Sequence, residues 1–272
     1  MHPSSPDLPG KIPMNRPVLA LDFDGVLCNG LNEYFTISAY VYKELCPDIG
    51  CTSNLEPFRE WFYRLRPVIT HGWEMPLLLH GLVTGADIQE MARHWPQVQQ
   101  RLLSRTGWSA NELGQRVDRE RDAWIERDEA GWLALHDFYA GVVARVQDWL
   151  AGTSVQLAIV TTKQERFVQA LFKGMGVTWP SEWLYGKTLA QPKTAILQTL
   201  HQQYGVLGFV EDRWEALTAV QHIPALQTIP LYLATWGYTT PQQVELATQV
   251  GIQPLTLAEF CDPHYPWHRG ND

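Results

Sequence analysis

The chain has 272 residues, 45% of them hydrophobic and 18% charged, with a formal net charge of −8 at pH 7. It can bury a substantial core, and its acidic balance excludes a protein that holds nucleic acid by neutralising phosphates. No apolar run reaches the roughly 20 residues that cross a bilayer, and no signal-peptide pattern is present, so we expect a cytoplasmic protein without a membrane partner.

The chain begins with a segment that has no periodic apolar face. Residues 1–16 contain four prolines among Ser, Asp and Gly, which predicts a flexible tail. A short apolar run from Val18 then ends in residues 22–25, Asp-Phe-Asp-Gly. This pattern is typical of a buried parallel strand whose carboxyl end opens onto a site.

The next block, residues 30–138, has helical spacing of its apolar residues. One example is the set Phe58, Trp61, Phe62 and Leu65. Ser109 and Glu112 have the spacing of a capping box and predict the start of another helix. No segment of this block predicts a strand.

Beyond residue 138, helical and extended patterns alternate. Helices are expected between the strands, one with Gly174 as its C-cap and one beginning at Lys193. Strands are predicted at 156–161, 206–210 and 229–234, with a short extended segment at 183–185.

This alternation predicts an α/β fold, with a Rossmann-like parallel sheet core and an inserted all-helical cap domain. We therefore predict three parts of the chain: a tail of residues 1–16, a core domain of residues 17–29 and 139–272, and a cap domain of residues 30–138.

Acidic residues follow two of the predicted strands. Asp22 and Asp24 are two residues apart and project to the same side of an extended segment. Glu211 and Asp212 follow a later strand, and strand ends meet at one edge of a parallel sheet. Unpaired carboxylates would repel one another, so we predict that all four bind Mg²⁺. We favour Asp212 as a direct ligand, whereas Glu211 could support the ligands without contacting the metal itself.

Other polar residues at strand and helix ends are candidates for binding a phosphate. Thr161 and its neighbour Thr162 follow the second strand, where a hydroxyl and backbone amides can hold an anion. Lys193 opens a helix and can neutralise the remaining negative charge. Lys187 is the alternative lysine, but it lies in a Gly-Lys-Thr turn without an evident anchor.

In this order, the motifs resemble those of the haloacid dehalogenase superfamily. Residues 22–27 match its first motif, Thr161 its second, Lys193 its third and residues 211–212 its fourth. The resemblance implies a helical cap and a magnesium-dependent hydrolase of the phosphatase and β-phosphoglucomutase-like branch. It also implies that Asp22 is the nucleophile and forms an aspartyl-phosphate, with Asp24 as general acid and then base.

The sequence also departs from the family pattern. Many relatives have Asp-Ser where this chain has Asn29-Gly30, and Gln191-Pro192 replaces the usual residues before the lysine. Within the cap, Arg66 and His71 lie in a polar turn that could face the site, and both are candidate substrate ligands.

The resulting hypothesis is a phosphatase for a small phosphorylated metabolite, such as a sugar phosphate or phosphoglycolate. A phosphomutase and a catalytically silent binding or assembly protein are the alternatives. The sequence carries no signal for an oligomeric state.

Overall fold

The computed structural model of the protein describes residues 16–47, 54–152 and 155–267. Its strands are β1 (Val18–Leu21), β2 (Cys28–Asn29), β3 (Asp137–Phe138), β4 (Gln156–Val160), β5 (Leu184–Tyr185), β6 (Val206–Glu211), β7 (Leu231–Ala234) and β8 (Gln253–Leu255). Its α-helices are α1 (Leu31–Leu45), α2 (Arg59–Arg64), α3 (Glu74–Val83), α4 (Ile88–Arg93), α5 (Trp95–Thr106), α6 (Ala110–Leu133), α7 (Val142–Ala151), α8 (Glu165–Gly174), α9 (Lys193–Tyr204), α10 (Trp214–Gln221), α11 (Pro241–Gln249) and α12 (Leu257–Cys261).

Six strands form one parallel sheet in the order β5-β4-β1-β6-β7-β8. In the centre of this sheet, Leu21 pairs with Ile159 on one side and Val210 on the other. All four residues of β1 are fully buried because helices cover both faces of the sheet. The predicted α/β, Rossmann-like fold is therefore confirmed.

The helices of residues 31–133 pack around a hydrophobic cluster separate from those on the two faces of the sheet, and Tyr238 of the core also belongs to it. Its largest fully buried side chains are Tyr34, Phe35, Tyr42 and Phe62. The predicted helix start at Ser109 is confirmed, because its side chain accepts a hydrogen bond of 3.2 Å from the amide of Glu112 at the start of α6. This cluster stabilises the helical block without using the parallel sheet.

A small antiparallel pair joins the two ends of the helical block. Cys28 of β2 pairs with Phe138 of β3, and Asn29 pairs with Asp137. No strand is predicted within residues 30–138, and this prediction is wrong for β3. A strand of two residues is too short to show a periodic pattern in the sequence. The chain leaves the sheet region and returns to it at adjacent points.

Several predicted boundaries need correction. Helix α8 ends at Gly174, but its C-cap is Met175, and the left-handed conformation after it is at Gly176, with φ of 71°. Strand β8 was not expected because it is short and contains Pro254, which an edge strand tolerates. Residues 1–15 of the predicted tail lie outside the described residues. Among the described residues, no helix has both the length and the apolar composition needed to cross a bilayer.

Candidate active site

The candidate site begins at the carboxyl end of β1, where Asp22 is 5% exposed. Its Oδ1 atom lies 2.9 Å from Nζ of Lys193, the first residue of α9. The same ammonium group lies 2.6 Å from Oε2 of Glu211, the last residue of β6. Two neighbouring strands and one helix therefore hold a lysine between two carboxylates.

Glu211 and Asp212 are fully buried, and backbone amides hold both of them. Glu211 Oε1 accepts hydrogen bonds from the amides of Asp212 (3.2 Å) and Arg213 (3.1 Å). Asp212 Oδ2 accepts one of 2.7 Å from the amide of Tyr238. The second oxygen of Asp212, Oδ1, is buried without a hydrogen-bond partner.

A glycine in the first motif permits this arrangement. Gly25 has φ of 87°, a conformation that residues with a Cβ rarely adopt. A Cβ at this position would also lie 2.0 Å from Asp212 Oδ2. The turn after Asp24 therefore needs glycine both for its backbone conformation and for its close approach to the acidic group.

The clustered carboxylates shift one another's ionisation. Burial, followed by the charge of Glu211, raises the pKa of Asp22 to about 7. Burial and the charge of Asp22 raise the pKa of Asp212 to about 6. Burial alone would lower the pKa of Lys193, but the two carboxylates beside it hold that pKa above its ordinary value. The site therefore favours cations.

The donor set fits a magnesium ion. Asp22, Glu211 and Asp212 each offer an oxygen, and these oxygens lie within 4.8 Å of one another. The unpartnered Oδ1 of Asp212 is free to act as a ligand. Hard carboxylate oxygens are the ligands that Mg²⁺ prefers, together with water and substrate phosphate.

Asp24 is the fourth predicted ligand, but its side chain is held elsewhere. Its Oδ1 atom accepts a hydrogen bond of 3.1 Å from Nζ of Lys163, in the loop after β4. Burial alone would raise the pKa of Asp24, but Lys163 and a hydrogen bond from Tyr34 hold it below its ordinary value. The carboxylate of Asp24 therefore lies beside the group formed by Asp22, Glu211 and Asp212, and its ion pair is with Lys163.

Lys163 is a site residue that the sequence reasoning missed. Its side chain is 3% exposed, and its amide donates a hydrogen bond of 3.2 Å to Oγ1 of Thr161. The available signal was its position, two residues after a threonine at a predicted strand end. Without the fold, a lysine there is indistinguishable from a solvated residue.

A cavity of about 450 Å³ opens in front of these groups. Asp22, Asp24, Thr162, Lys163 and Lys193 line its core side. Thr161, the first residue after β4, is buried and lines an adjoining cavity together with Thr162. The predicted phosphate-binding residues therefore surround the acidic group, and the space in front of them can hold a phosphate ester.

The helical block contributes Arg66 and His71 to the same cavity. Arg66 is 7% exposed, lies 4.3 Å from the ring centre of Tyr238 and 5.1 Å from that of Tyr34, and donates a hydrogen bond of 3.1 Å to the carbonyl of Ile69. Among the described residues, no carboxylate forms an ion pair with Arg66. A buried guanidinium without an ion pair favours an anion in the cavity.

Lys187 is placed differently from Lys193. Its Nζ atom donates a hydrogen bond of 2.7 Å to Oδ2 of Asp118 on α6, and its side chain is 52% exposed. It therefore bridges the core to the helical block, whereas Lys193 contacts the carboxylate of Asp22.

The sequence matches no model of a known protein family and no curated protein. Solved structures do match. A protein from Lactobacillus delbrueckii subsp. bulgaricus, described as a proposed phosphoglycolate phosphatase, is 11% identical, with a TM-score of 0.56 over 90% of this chain and 95% of that one. A proposed phosphatase from Clostridium difficile is 11% identical, with a TM-score of 0.51 over 89% of this chain and 94% of that one.

The description of a third solved structure names the superfamily that the sequence motifs resemble. It is a proposed haloacid dehalogenase-like hydrolase from Bacteroides fragilis, 12% identical, with a TM-score of 0.51 over 89% of this chain and 97% of that one. Likeness at this identity concerns the fold alone. The predicted resemblance to the haloacid dehalogenase superfamily is thus confirmed at the level of fold.

Proposed function

We propose that this protein is a magnesium-dependent phosphatase, which hydrolyses a small phosphorylated metabolite through an aspartyl-phosphate at Asp22. The observation that carries the proposal is the position of Asp22, which faces a cavity at the sheet edge and lies 2.9 Å from Lys193. The names of the solved structures with the same fold, a phosphoglycolate phosphatase and a phosphatase, support the same reaction class.

In the proposed first step, a carboxylate oxygen of Asp22 attacks phosphorus and displaces the alcohol of the ester. The ammonium group of Lys193 and the amides near Thr161 stabilise negative charge on the phosphoryl oxygens. Arg66, which forms no ion pair with the residues that the structure describes, would contribute a further positive charge. Held by Asp22, Glu211 and Asp212, Mg²⁺ would neutralise phosphoryl charge and orient the group for attack.

Asp24 is the proposed proton donor and acceptor. In the free protein, Lys163 favours its ionised form. A bound phosphate adds negative charge beside it, which raises the pKa of the carboxyl group and favours the proton needed by the leaving oxygen. The ionised carboxylate then accepts a proton from the water that attacks the aspartyl-phosphate.

We further propose that residues 30–138 act as a cap that closes over the site and carries specificity. Most of the block packs around a hydrophobic cluster separate from those of the sheet, and its two ends meet at β2 and β3. Polar contacts join it to the core, including hydrogen bonds from Arg213 to the carbonyl (3.3 Å) and hydroxyl (3.1 Å) of Thr70. Apolar contacts also join the two parts, with the ring centres of Tyr34 and Tyr238 6.1 Å apart and those of Trp132 and Phe167 5.5 Å apart. Closure would therefore rearrange packed side chains as well as hydrogen bonds.

An assay with a generic aryl phosphate tests the proposed function. We expect hydrolysis that requires Mg²⁺ and disappears in Asp22→Asn, because an amide cannot form the aspartyl-phosphate. Asp24→Asn should keep binding substrate while turnover falls by on the order of 10² to 10⁴, the usual contribution of general acid and base catalysis. If a broad panel of phosphate esters yields no turnover, the account is wrong and a non-catalytic binding protein is favoured.

A further inference from the structure

A second cavity, of about 480 Å³, adjoins the active-site cavity. We call it the side chamber, and define it by Trp73, Gly114, Val117, Asp118, Gln164 and Gln191. Arg121, Thr162, Lys163 and Lys193 line both cavities, so the two spaces adjoin along these residues. Asp22 and Asp24 line only the active-site cavity. A phosphate ester bound at Asp22 can therefore direct the rest of its molecule into the side chamber.

The lysines and arginines around the side chamber are already neutralised. Arg121 lies 2.6 Å from Glu33. Lys187 lies 2.7 Å from Asp118. Lys163 and Lys193 pair with the carboxylates of the active site. Among the described residues that line the side chamber, every lysine and arginine has a carboxylate partner, in contrast to Arg66 beside the phosphate position. A leaving group with its own negative charge would therefore compete with these carboxylates.

Gly114 keeps one wall of the side chamber open. It lies inside helix α6, where glycine is less favourable than alanine. A Cβ at this position would meet only the Cβ of Trp73, at 3.6 Å, which is an ordinary van der Waals distance. Packing therefore does not require glycine here, and the effect of the missing side chain is a wider chamber beside Trp73.

The remaining walls combine apolar and polar groups. Trp73 and Val117 are apolar lining residues, whereas Gln164, Asp118 and Thr162 carry hydrogen-bonding groups. A sugar ring has an apolar face and hydroxyl groups around its edge, and pockets of this kind bind such rings by ring contact and a few polar groups.

We propose that the side chamber binds the leaving group of the substrate, and that this group is an uncharged ring bearing hydroxyl groups. This inference rests on the proposed phosphatase function and narrows its substrate class. A monosaccharide phosphate and a nucleoside monophosphate both present such a ring next to the phosphate. A short acyclic ester with a carboxylate, such as phosphoglycolate, does not fill the chamber.

The test compares kcat/KM for a hexose phosphate, a nucleoside monophosphate and phosphoglycolate in three proteins. Gly114→Phe places a ring in the chamber beside Trp73, and Gln115→Phe adds the same ring to the exposed side of the same helix. We expect the wild type to prefer a ring-bearing ester over phosphoglycolate. Gly114→Phe should reduce this preference about tenfold or more, whereas Gln115→Phe should keep it. The ring-bearing ester whose kcat/KM falls more in Gly114→Phe identifies the ring as that of a sugar or of a nucleoside.

A binding measurement keeps the inference separate from the proposed chemistry. Calorimetric titration of Asp22→Asn with the same three esters and Mg²⁺ should give tighter binding of a ring-bearing ester, and adding Gly114→Phe should weaken it. If Gly114→Phe does not fold, as judged by circular dichroism, Gly114→Leu replaces it. Equal effects of Gly114→Phe on all three esters, or a wild-type preference for phosphoglycolate, would overturn the side-chamber assignment even if hydrolysis is observed. Ring-selective binding without hydrolysis would contradict only the phosphatase proposal.

Discussion

Two lysines near the site differ in what their ammonium groups contact. Lys193 pairs with Asp22 and Glu211, whereas Lys187 reaches Asp118 on the helical block. We therefore expect Lys193→Ala to lower kcat/KM by on the order of 10² to 10³, because negative charge in the transition state loses its nearest cation. Lys187→Ala, the matched control, should change kcat/KM little. Equal losses in both variants, or a loss only in Lys187→Ala, would show that Lys193 is not the active-site lysine.

At this scale the sequence predicted the residues that end strands or begin helices. Asp22, Thr161, Lys193 and Asp212 could be found because an apolar run or a helical pattern stops beside them. Lys163 could not, since its importance depends on a contact with Asp24 across a long separation in the chain. Arg66 and His71 were identified only as members of a polar turn.

Helices α1 and α6 of the block are joined by a buried ion pair. Arg121 donates hydrogen bonds of 2.6 and 2.9 Å to the two oxygens of Glu33, which is fully buried. Burial alone would raise the pKa of Glu33, but Arg121 outweighs it and lowers that pKa to about 2. Because the folded-state value lies below the ordinary value, the pair stabilises the fold above the pKa of the unfolded chain.

We expect Glu33→Gln to lower the free energy of unfolding by about 3 kcal/mol at pH 7, since it leaves the buried guanidinium of Arg121 with only the more distant carboxylate of Asp118, at 3.8 Å. The difference between wild type and variant should shrink as pH falls below about 4.5 toward the folded-state value near 2. Urea unfolding between pH 7 and pH 3 measures both quantities. A difference that stays constant or grows on acidification would contradict the assignment of this ion pair.

Elements were predictable where they are long and apolar. The run that forms β1 is buried on both faces and needs only its composition to be recognised. Strands β2, β3 and β8 have two or three residues, and neighbouring chain segments rather than local pattern determine their pairing. The side chamber could not be predicted from the sequence either. It lies between α6 and loops of the core, and no local sequence pattern indicates that these segments are neighbours in the fold.

For the whole molecule, the proposed magnesium site at the sheet edge would couple metal binding to stability. Mg²⁺ held by Asp22, Glu211 and Asp212 would bind the folded state and not the unfolded chain, so we expect it to raise the melting temperature. A stabilisation of 1 kcal/mol corresponds to a rise of about 2 to 4 °C in a protein of this size class. Asp212→Asn should lose this response without lowering the melting temperature of the metal-free protein, because it removes a like charge beside Asp22. Calorimetric melting with and without Mg²⁺ decides this, and an unchanged response in Asp212→Asn would place the metal elsewhere.

The central claim is that Asp22 carries the phosphoryl group during turnover, and it is tested most directly by trapping that group. The protein is mixed with an aryl phosphate and Mg²⁺, quenched in acid within the first turnover, digested and analysed by mass spectrometry. We expect a phosphorylated peptide that contains Asp22, absent from Asp22→Asn and more abundant in Asp24→Asn, if that variant slows attack by water more than formation of the intermediate. Hydrolysis without any phosphorylation at Asp22, or with the phosphoryl group on another residue, would contradict the account.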